Sequence, residues 1–319
     1  MSALIKQLQF ELKRFNVQKG DIETLFIGGG TPSTIEPNLY EALFKILNPY
    51  LSNSAELTSE ANPNSSTKEW LRGMYKLGIN RISFGVQSFN DEKLKLLGRA
   101  HKSEDAIDAI KSAHKIGFKN ISLDIIYATQ GDSKALLEND LDQAFSLPIN
   151  HLSAYALTIE EKTVFTKQPQ MAYETIELTK WFLNSIKERG FNQYEISNFG
   201  SYQSLHNLGY WKQKNYIGLG SGAVGFLENE RFYSSNSLEE YIDNPTNIET
   251  EKLTKAELHS EHIFLGLRSS VGVEFSVLND AEKSRTEILL KEKKLLLKNG
   301  RLYNPNYLLS DELALFIEG

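Results

Sequence analysis

The stretch TLFIGGGTPS, residues 24–33, decides how the rest of the chain is read. An apolar run that ends abruptly in three glycines predicts a buried strand whose exit loop has no Cβ atoms, so that main-chain N–H and C=O groups lie open to a ligand. A tight turn without a ligand is the plainer reading, but such a turn rarely needs three glycines followed by Thr-Pro. The pattern is not the dinucleotide fingerprint GxGxxG, so the ligand has to be sought from the neighbours of the loop.

Four more strands of the same character follow: AELTSEAN (55–62), RISFGVQ (81–87), NISLDIIYA (120–128) and HLSAYALT (151–158). Each is rich in apolar residues and bounded by Asn, Gly or Pro, as expected of strands covered on both faces of a parallel sheet. Helical spacing separates them. It runs through Leu4, Ile5, Leu8, Leu12 and Phe15, through Trp70, Leu71, Met74 and Leu77, through Ala106, Ile107, Ile110 and Ala113, and through Ile176, Leu183 and Ile186. Serial βα units predict an α/β barrel or a doubly wound sheet, and both place ligands at the carboxyl ends of the strands. A barrel opens with a strand, whereas this chain opens with a helix. Read as a barrel, the chain is a partial, TIM-like βα barrel missing its first strand.

Beyond it lie FNQYEISNFG (191–200), read as a further strand and exit loop, then HNLGYW (206–211) and the glycine-rich YIGLGSGAVG (216–225). From about Leu253 the pattern changes to helices over 257–267 and 284–298 and a short hairpin. These divide the chain into a barrel over 1–190, an exit segment over 191–250 and a small, mainly helical carboxyl-terminal domain over 251–319. That last stretch has a winged-helix look, but its ten basic and eleven acidic residues do not make a DNA reader.

The 319 residues carry 40% apolar side chains and a net charge of -6. A large core fits that composition, and a broad nucleic-acid surface does not. No apolar run reaches the roughly 18 residues of a membrane span. A cytoplasmic protein is expected, with transient membrane association left open. There is no cysteine, which excludes disulfides and thiolate ligands from these residues.

Glu60, Gln87 and Asp124 each close a predicted strand, and Arg99 in GRAH presents a fork suited to a carboxylate. Singly, Glu60 reads better as a surface carboxylate before a turn, Gln87 and Asp124 read as readily as satisfied structural groups, and Arg99 has the plain alternative of a solvent-facing helix-end arginine. Gathered at one mouth of a barrel with Gly28, Gly29, Gly30 and Thr31, they describe a site for a polar, zwitterionic, ribose-bearing molecule. In HNLGYW, His206 has Asn207, Tyr210 and Trp211 around it. A histidine among aromatics is more often a packed hydrogen-bonding residue than a ligand of haem iron. His259 and His262, three apart on a predicted helix, lack a third metal ligand.

The order FIGGGTPS, SEANP, INRISFGVQSFNDEKLKLLGRAH, LDIIY resembles the radical S-adenosylmethionine enzymes of the oxygen-independent coproporphyrinogen III oxidase group. HNLGYW followed by YIGLGSGA resembles their haem-chaperone branch, HemW. The resemblance covers most of the chain. It implies an S-adenosylmethionine site at Gly28, Gly29, Gly30 and Thr31 (methionine amino group) and at Glu60, Gln87, Arg99 and Asp124 (methionine and ribose). It also implies haem at His206, Asn207, Tyr210 and Trp211, with His206 on the iron. A haem chaperone serving a respiratory acceptor protein is the expected function. The alternatives are the coproporphyrinogen III oxidase itself, a radical oxidative decarboxylation in porphyrin biosynthesis, and a degenerate barrel that only binds a nucleotide-like ligand. The family holds a [4Fe-4S] cluster on a CxxxCxxC loop that would precede Met1. We expect the natural product to begin upstream, and no radical catalysis from the residues as written. Where the family has GLPGQT after LDIIY, this chain has ATQGDS, which leaves the shape of that loop to be determined.

Overall fold

Alternation of apolar strands with amphipathic helices is realised along the chain of the computed structural model, which describes residues 1–159 and 164–319. Helix α1 (Ser2–Arg14) precedes β1 (Ile22–Ile27), α2 (Glu41–Leu47), β2 (Leu51–Ala61), α3 (Lys68–Lys76) and β3 (Arg81–Gln87). Helices α4 (Asp91–Leu96) and α5 (Ser103–Ile116) lead to β4 (Asn120–Tyr127), α6 (Lys134–Phe145), β5 (His151–Ala156) and α7 (Ile176–Glu188). Short strands β6 (Asn192–Gln193) and β7 (Asn198–Gly200) and helix α8 (Leu205–Trp211) follow. Then come β8 (Val224–Leu227), β9 (Glu230–Ser234), α9 (Leu238–Asp243), β10 (Ile248–Lys252), α10 (Lys255–Leu267) and β11 (Val273–Glu274). Helix α11 (Asp280–Lys291), β12 (Leu296–Lys298), β13 (Arg301–Tyr303) and α12 (Ser310–Glu318) complete it.

The chain forms two compact units, one of residues 24–39 and 56–203, the other of residues 1–23, 40–55 and 204–319. In the first, the seven-stranded sheet has the order β1-β2-β3-β4-β5-β7-β6, with β2 to β5 mutually parallel and β7 antiparallel to both β5 and β6. The FNQYEISNFG segment is therefore a short antiparallel reversal rather than one more parallel strand. The Tyr194 amide donates back to the Asn198 carbonyl to close it.

The strands are buried on both faces, as expected, but the faces differ in chemistry. Ile82, Phe84 and Val86 of β3, Ile121, Leu123 and Ile125 of β4, and Leu152 and Ala154 of β5 are buried apolar positions of one parity. On the other parity Glu60 of β2 pairs in register with Ser83, Ser83 with Ser122, and Asp124 with Ser153. Successive strand residues point to opposite faces, so one side of the sheet is apolar and the other is polar. Helix α3 shows how the apolar side is covered. Thr67 caps it by accepting the Trp70 amide, Trp70, Leu71 and Met74 are buried, and the Trp70 indole donates to the Ile35 carbonyl at 2.9 Å. Each such large side chain contributes about 2–3 kcal/mol by leaving water.

In the second unit, Gln7 of α1 is fully buried. Its amide nitrogen donates to Ser234 Oγ at 2.9 Å, and its carbonyl oxygen accepts the Gly220 amide and the Tyr241 hydroxyl at 2.9 and 2.7 Å. That one side chain orders the YIGLGSGA loop. At Gly218 a Cβ would come within 2.2 Å of the Val224 carbonyl oxygen, which explains the glycine there. The carboxyl-terminal stretch has its own core around Ile263, Leu267, Leu302 and Ile317. The helix expected over 284–298 runs instead from Asp280 to Lys291. Asn279 and Glu282 form its capping box, Lys293 turns the chain with φ of 56°, and β12 begins at Leu296.

Candidate functional site

At the carboxyl ends of the strands, the loop after β1 supplies backbone rather than side chain. Gly29 and Gly30 have φ of 72° and 51°, values that cost L side chains strain, and the space where their Cβ atoms would stand is open. At Gly28 an added Cβ would lie 2.6 Å from the Phe26 ring and 3.0 Å from the Glu60 carboxyl carbon. The Gly29 amide donates to Glu60. Thr31 ends the loop, its carbonyl accepting both the amide and the hydroxyl of Thr34.

Asp124 lies deep at this mouth and retains only a partial opening to solvent. Burial pushes its pKa up to about 6, the Ser153 hydrogen bond opposes the shift and the Glu60 charge adds to it. Burial also raises Glu60, against the Gly29 hydrogen bond. Two carboxylates that raise each other's cost of ionisation form a seat for a cation or for hydroxyl donors. Arg99 supplies the opposite sign. Burial lowers its pKa and the Asp124 charge raises it. Its loop is held by His101, whose Nε2–H donates to the Val86 carbonyl at 2.9 Å. Burial lowers the pKa of that imidazole, against the Val86 hydrogen bond.

Gln87 is buried and has φ of 70° at the bulge where β3 leaves its register with β4. A Cβ on Gly85 would stand 3.1 Å from its amide nitrogen, so the missing methyl leaves room for this side chain to fold back. The ATQGDS loop is pinned by Asp132. Its carboxylate accepts the Thr129 amide at 2.9 Å and pairs with the buried Lys93 ammonium at 2.7 Å.

Two groups at this mouth were not read from the sequence. Glu195, in the β6–β7 reversal, is 1% exposed and its Oε1 meets no partner among the described residues. Burial pushes its pKa up to about 7. Tyr155 of β5 is raised first by burial and then by Asp124, and it also senses Glu195 and Glu60. Alternation in HLSAYA was the available signal, since His151, Ser153 and Tyr155 share the polar parity. Deeper on that face, His151 accepts from Arg81 through Nδ1, lies 2.6 Å from Ser122 Oγ, and reaches the Tyr194 hydroxyl at 2.7 Å through Nε2. Burial and Arg81 hold its pKa well below the usual value, which marks it as a neutral floor to the site.

The structure brings Gly28, Gly29, Gly30, Glu60, Arg99 and Asp124 together, with Gln87 opposite Ile125, the neighbour of Asp124. Both signs of charge, open space over Gly29 and Gly30 and an orphaned buried carboxyl oxygen fit a zwitterionic ligand with hydroxyls. A cluster is not fitted by these residues, because they include no cysteine.

In the other unit, Ser204 caps α8 by accepting the Asn207 amide at 3.3 Å. One turn later His206 Nε2 stands 3.0 Å from the Tyr210 hydroxyl, and the two rings are nearly perpendicular at 83°. Trp211 Nε1 is a buried donor without an acceptor among the described residues. Tyr210 crosses Tyr216 edge-on at 4.8 Å, and both line a cavity of about 370 Å³, within the size range of small-molecule sites. Its aromatic walls and two arginines fit a flat, carboxylate-bearing ring. His259 pairs with Glu282 and His262 with Glu274, and no group of three metal-ligating side chains occurs among the described residues.

The model of the radical SAM superfamily matches residues 5–144, which span β1 to β4 of this sheet. The chain belongs to the HemW family. The heme chaperone HemW of Bacillus subtilis is 36% identical over 79% of this chain and 71% of its own length. That of Lactococcus lactis is 32% identical over 95% of this chain and 84% of its own. Among solved structures, the Escherichia coli coproporphyrinogen III oxidase HemN superposes with a TM-score of 0.79 at 16% identity, over 99% of this chain and 82% of that one. That likeness carries the fold alone. The family resemblance read from the motifs therefore holds.

Proposed function

We propose that this chain is a haem chaperone that binds S-adenosylmethionine at the barrel mouth and haem at the HNLGYW segment, and delivers haem to a respiratory acceptor protein. The observation that carries the reading is the hydrogen-bonded His206 and Tyr210 pair beside an aromatic cavity. Its setting is a chain of the HemW family. For S-adenosylmethionine, Arg99 would pair with the methionine carboxylate, Glu60 and Asp124 would take the amino group and ribose hydroxyls, and the loop amides of Gly29 and Gly30 would border the methionine. Gln87 would reach the same ligand from the end of β3. When a cluster is bound, the family chemistry cleaves the sulfonium.

Titration of the chain with ferric haem tests the reading, followed by mixing with a haem-free respiratory acceptor and separation of the two proteins. Tight binding with haem recovered on the acceptor is expected. Haem that stays in solution, or that never leaves the chain, would count against a chaperone. Turnover of coproporphyrinogen III by a cluster-loaded, longer form would favour the oxidase instead.

A further inference from the structure

Glu195 and Asn198 leave two side-chain oxygens buried without a donor among the described residues, Glu195 Oε1 and Asn198 Oδ1. The two residues are 1% and 4% exposed, and both belong to the polar face of the sheet. Asn198 of β7 is paired in register with Ser153 of β5, and Ser153 with Asp124 of β4, so these three side chains project from one face. Glu195 joins that face through the Asn198 side-chain amide, which donates to its carboxylate, as do the main-chain amides of Ser197, Asn198 and Ile196. A carboxylate takes the Nδ2 donor of Asn198, so the oxygen of that amide is the atom left over. Native folds rarely bury one acceptor without a donor, and here two belong to bonded neighbours.

The row ends at solvent. Tyr155, the next residue of that parity on β5, and Ile196, beside Glu195, are both exposed. Adjacent strands are spaced about 5 Å apart, which puts Asn198 about 10 Å from Asp124, beyond hydrogen-bond reach of a group held there. Tyr155 senses the charges of both Asp124 and Glu195. A carboxylate oxygen beside an amide oxygen repels anions and suits two N–H donors carried by one cation. Burial pushes the Glu195 pKa up to about 7, and a cation at Oε1 offsets that cost of ionisation.

We propose that Glu195 Oε1 and Asn198 Oδ1 form a binding subsite for an amidinium or guanidinium group, at the β5–β7 edge of the sheet and separate from the residues assigned to S-adenosylmethionine. One N–H of the ligand meets the carboxylate and the other meets the amide oxygen.

The test uses the full chain at pH 8 with acetamidinium as the probe, read by nuclear magnetic resonance of nitrogen-labelled asparagine side chains. A saturable movement of the Asn198 signal is expected, unchanged by S-adenosylmethionine. Tetramethylammonium, a cation with no N–H, should bind about tenfold more weakly or worse. Glu195→Gln keeps the shape and replaces the acceptor by a donor, so acetamidinium binding should weaken about tenfold or more while the melting temperature holds or rises, because a buried charge is gone. An Asn198 signal that ignores the probe, tetramethylammonium that binds equally well, or Glu195→Gln with full affinity would each overturn the proposal and leave both oxygens to water. A fall in the melting temperature of Glu195→Gln with binding retained would make the carboxylate a structural partner of the β6–β7 reversal instead. Competition by S-adenosylmethionine would overturn the separate location.

Discussion

The Glu60 carboxylate accepts the backbone N–H of Gly29, which ties the loop leaving β1 to the end of β2. Gly28 sits between them, with no room for a methyl against Phe26 and Glu60. In Gly28→Ala, the Phe26 ring must turn and Glu60 must shift. We expect a loss of about 1–3 kcal/mol in urea unfolding and at least a tenfold loss of S-adenosylmethionine affinity by calorimetry. Gly29→Ala meets no atom within 4 Å, so only the backbone strain of about 1 kcal/mol remains. Equal stability losses for the two variants would argue against the contact.

Asp124 and Glu195, with pKa values raised to about 6 and about 7, set opposite pH trends for stability and binding. A raised carboxyl pKa stabilises the fold fully below its unfolded value of about 4, and that contribution is lost as pH rises through the folded value. Free-chain stability is therefore expected to fall between pH 4 and 7. Affinity for the cationic ligand should rise over the upper part of that range as Asp124 ionises. Asp124→Asn removes most of the affinity gain, and calorimetry at pH 5, 6 and 7 reads it. An affinity independent of pH in the unaltered chain would contradict the role given to Asp124.

Gln87 carries both a strained backbone and a reach toward the ligand, and two substitutions separate them. Asparagine tolerates positive φ, so Gln87→Asn should keep stability within about 1 kcal/mol while S-adenosylmethionine binding drops several-fold through the shorter arm. Gln87→Val adds β-branching at φ of 70° and should cost about 2–3 kcal/mol. If Gln87→Asn binds normally, the residue is structural only.

The Lys93 and Asp132 ion pair is almost wholly buried, at 4% and 1% side-chain exposure. Removing one partner leaves a buried charge, so Lys93→Met should destabilise by about 3–5 kcal/mol in denaturant unfolding. Asp132→Asn strands the buried Lys93 ammonium in turn, and although its amide oxygen can still accept the Thr129 N–H, a comparable loss is expected. The ATQGDS loop should show faster amide exchange in both. A loop unchanged in Lys93→Met would mean that other contacts shape it.

Much of this was legible along the chain because strands and helices announce themselves by local periodicity. The Gly28 to Gly30 loop, Glu60, Gln87 and Asp124 stand where apolar runs end, and a strand end in a parallel sheet is a known place for a site. Less visible was the chemistry of the two sheet faces. Ser83, Asp124, Ser153 and Tyr155 alternate with apolar residues, yet short runs that are buried on both sides read as uniformly apolar. The helix expected to reach residue 298 also failed to do so, because the turn at Lys293 and the pairing of β12 with β13 are tertiary choices that override local helical spacing.

By itself, the sequence determined the βα order, the family to which the chain belongs and the residue types at the strand ends, since each depends on neighbours within a few positions. Only the tertiary structure decided that Glu60, Asp124, Tyr155 and Glu195 share one electrostatic field, because strand register joins residues more than a hundred positions apart. It also decided which residue of HNLGYW borders the cavity. His206 and Tyr210 are one helical turn apart on α8, but the cavity walls come from β8, β9 and α10, and Tyr210 is the member of the pair that lines it.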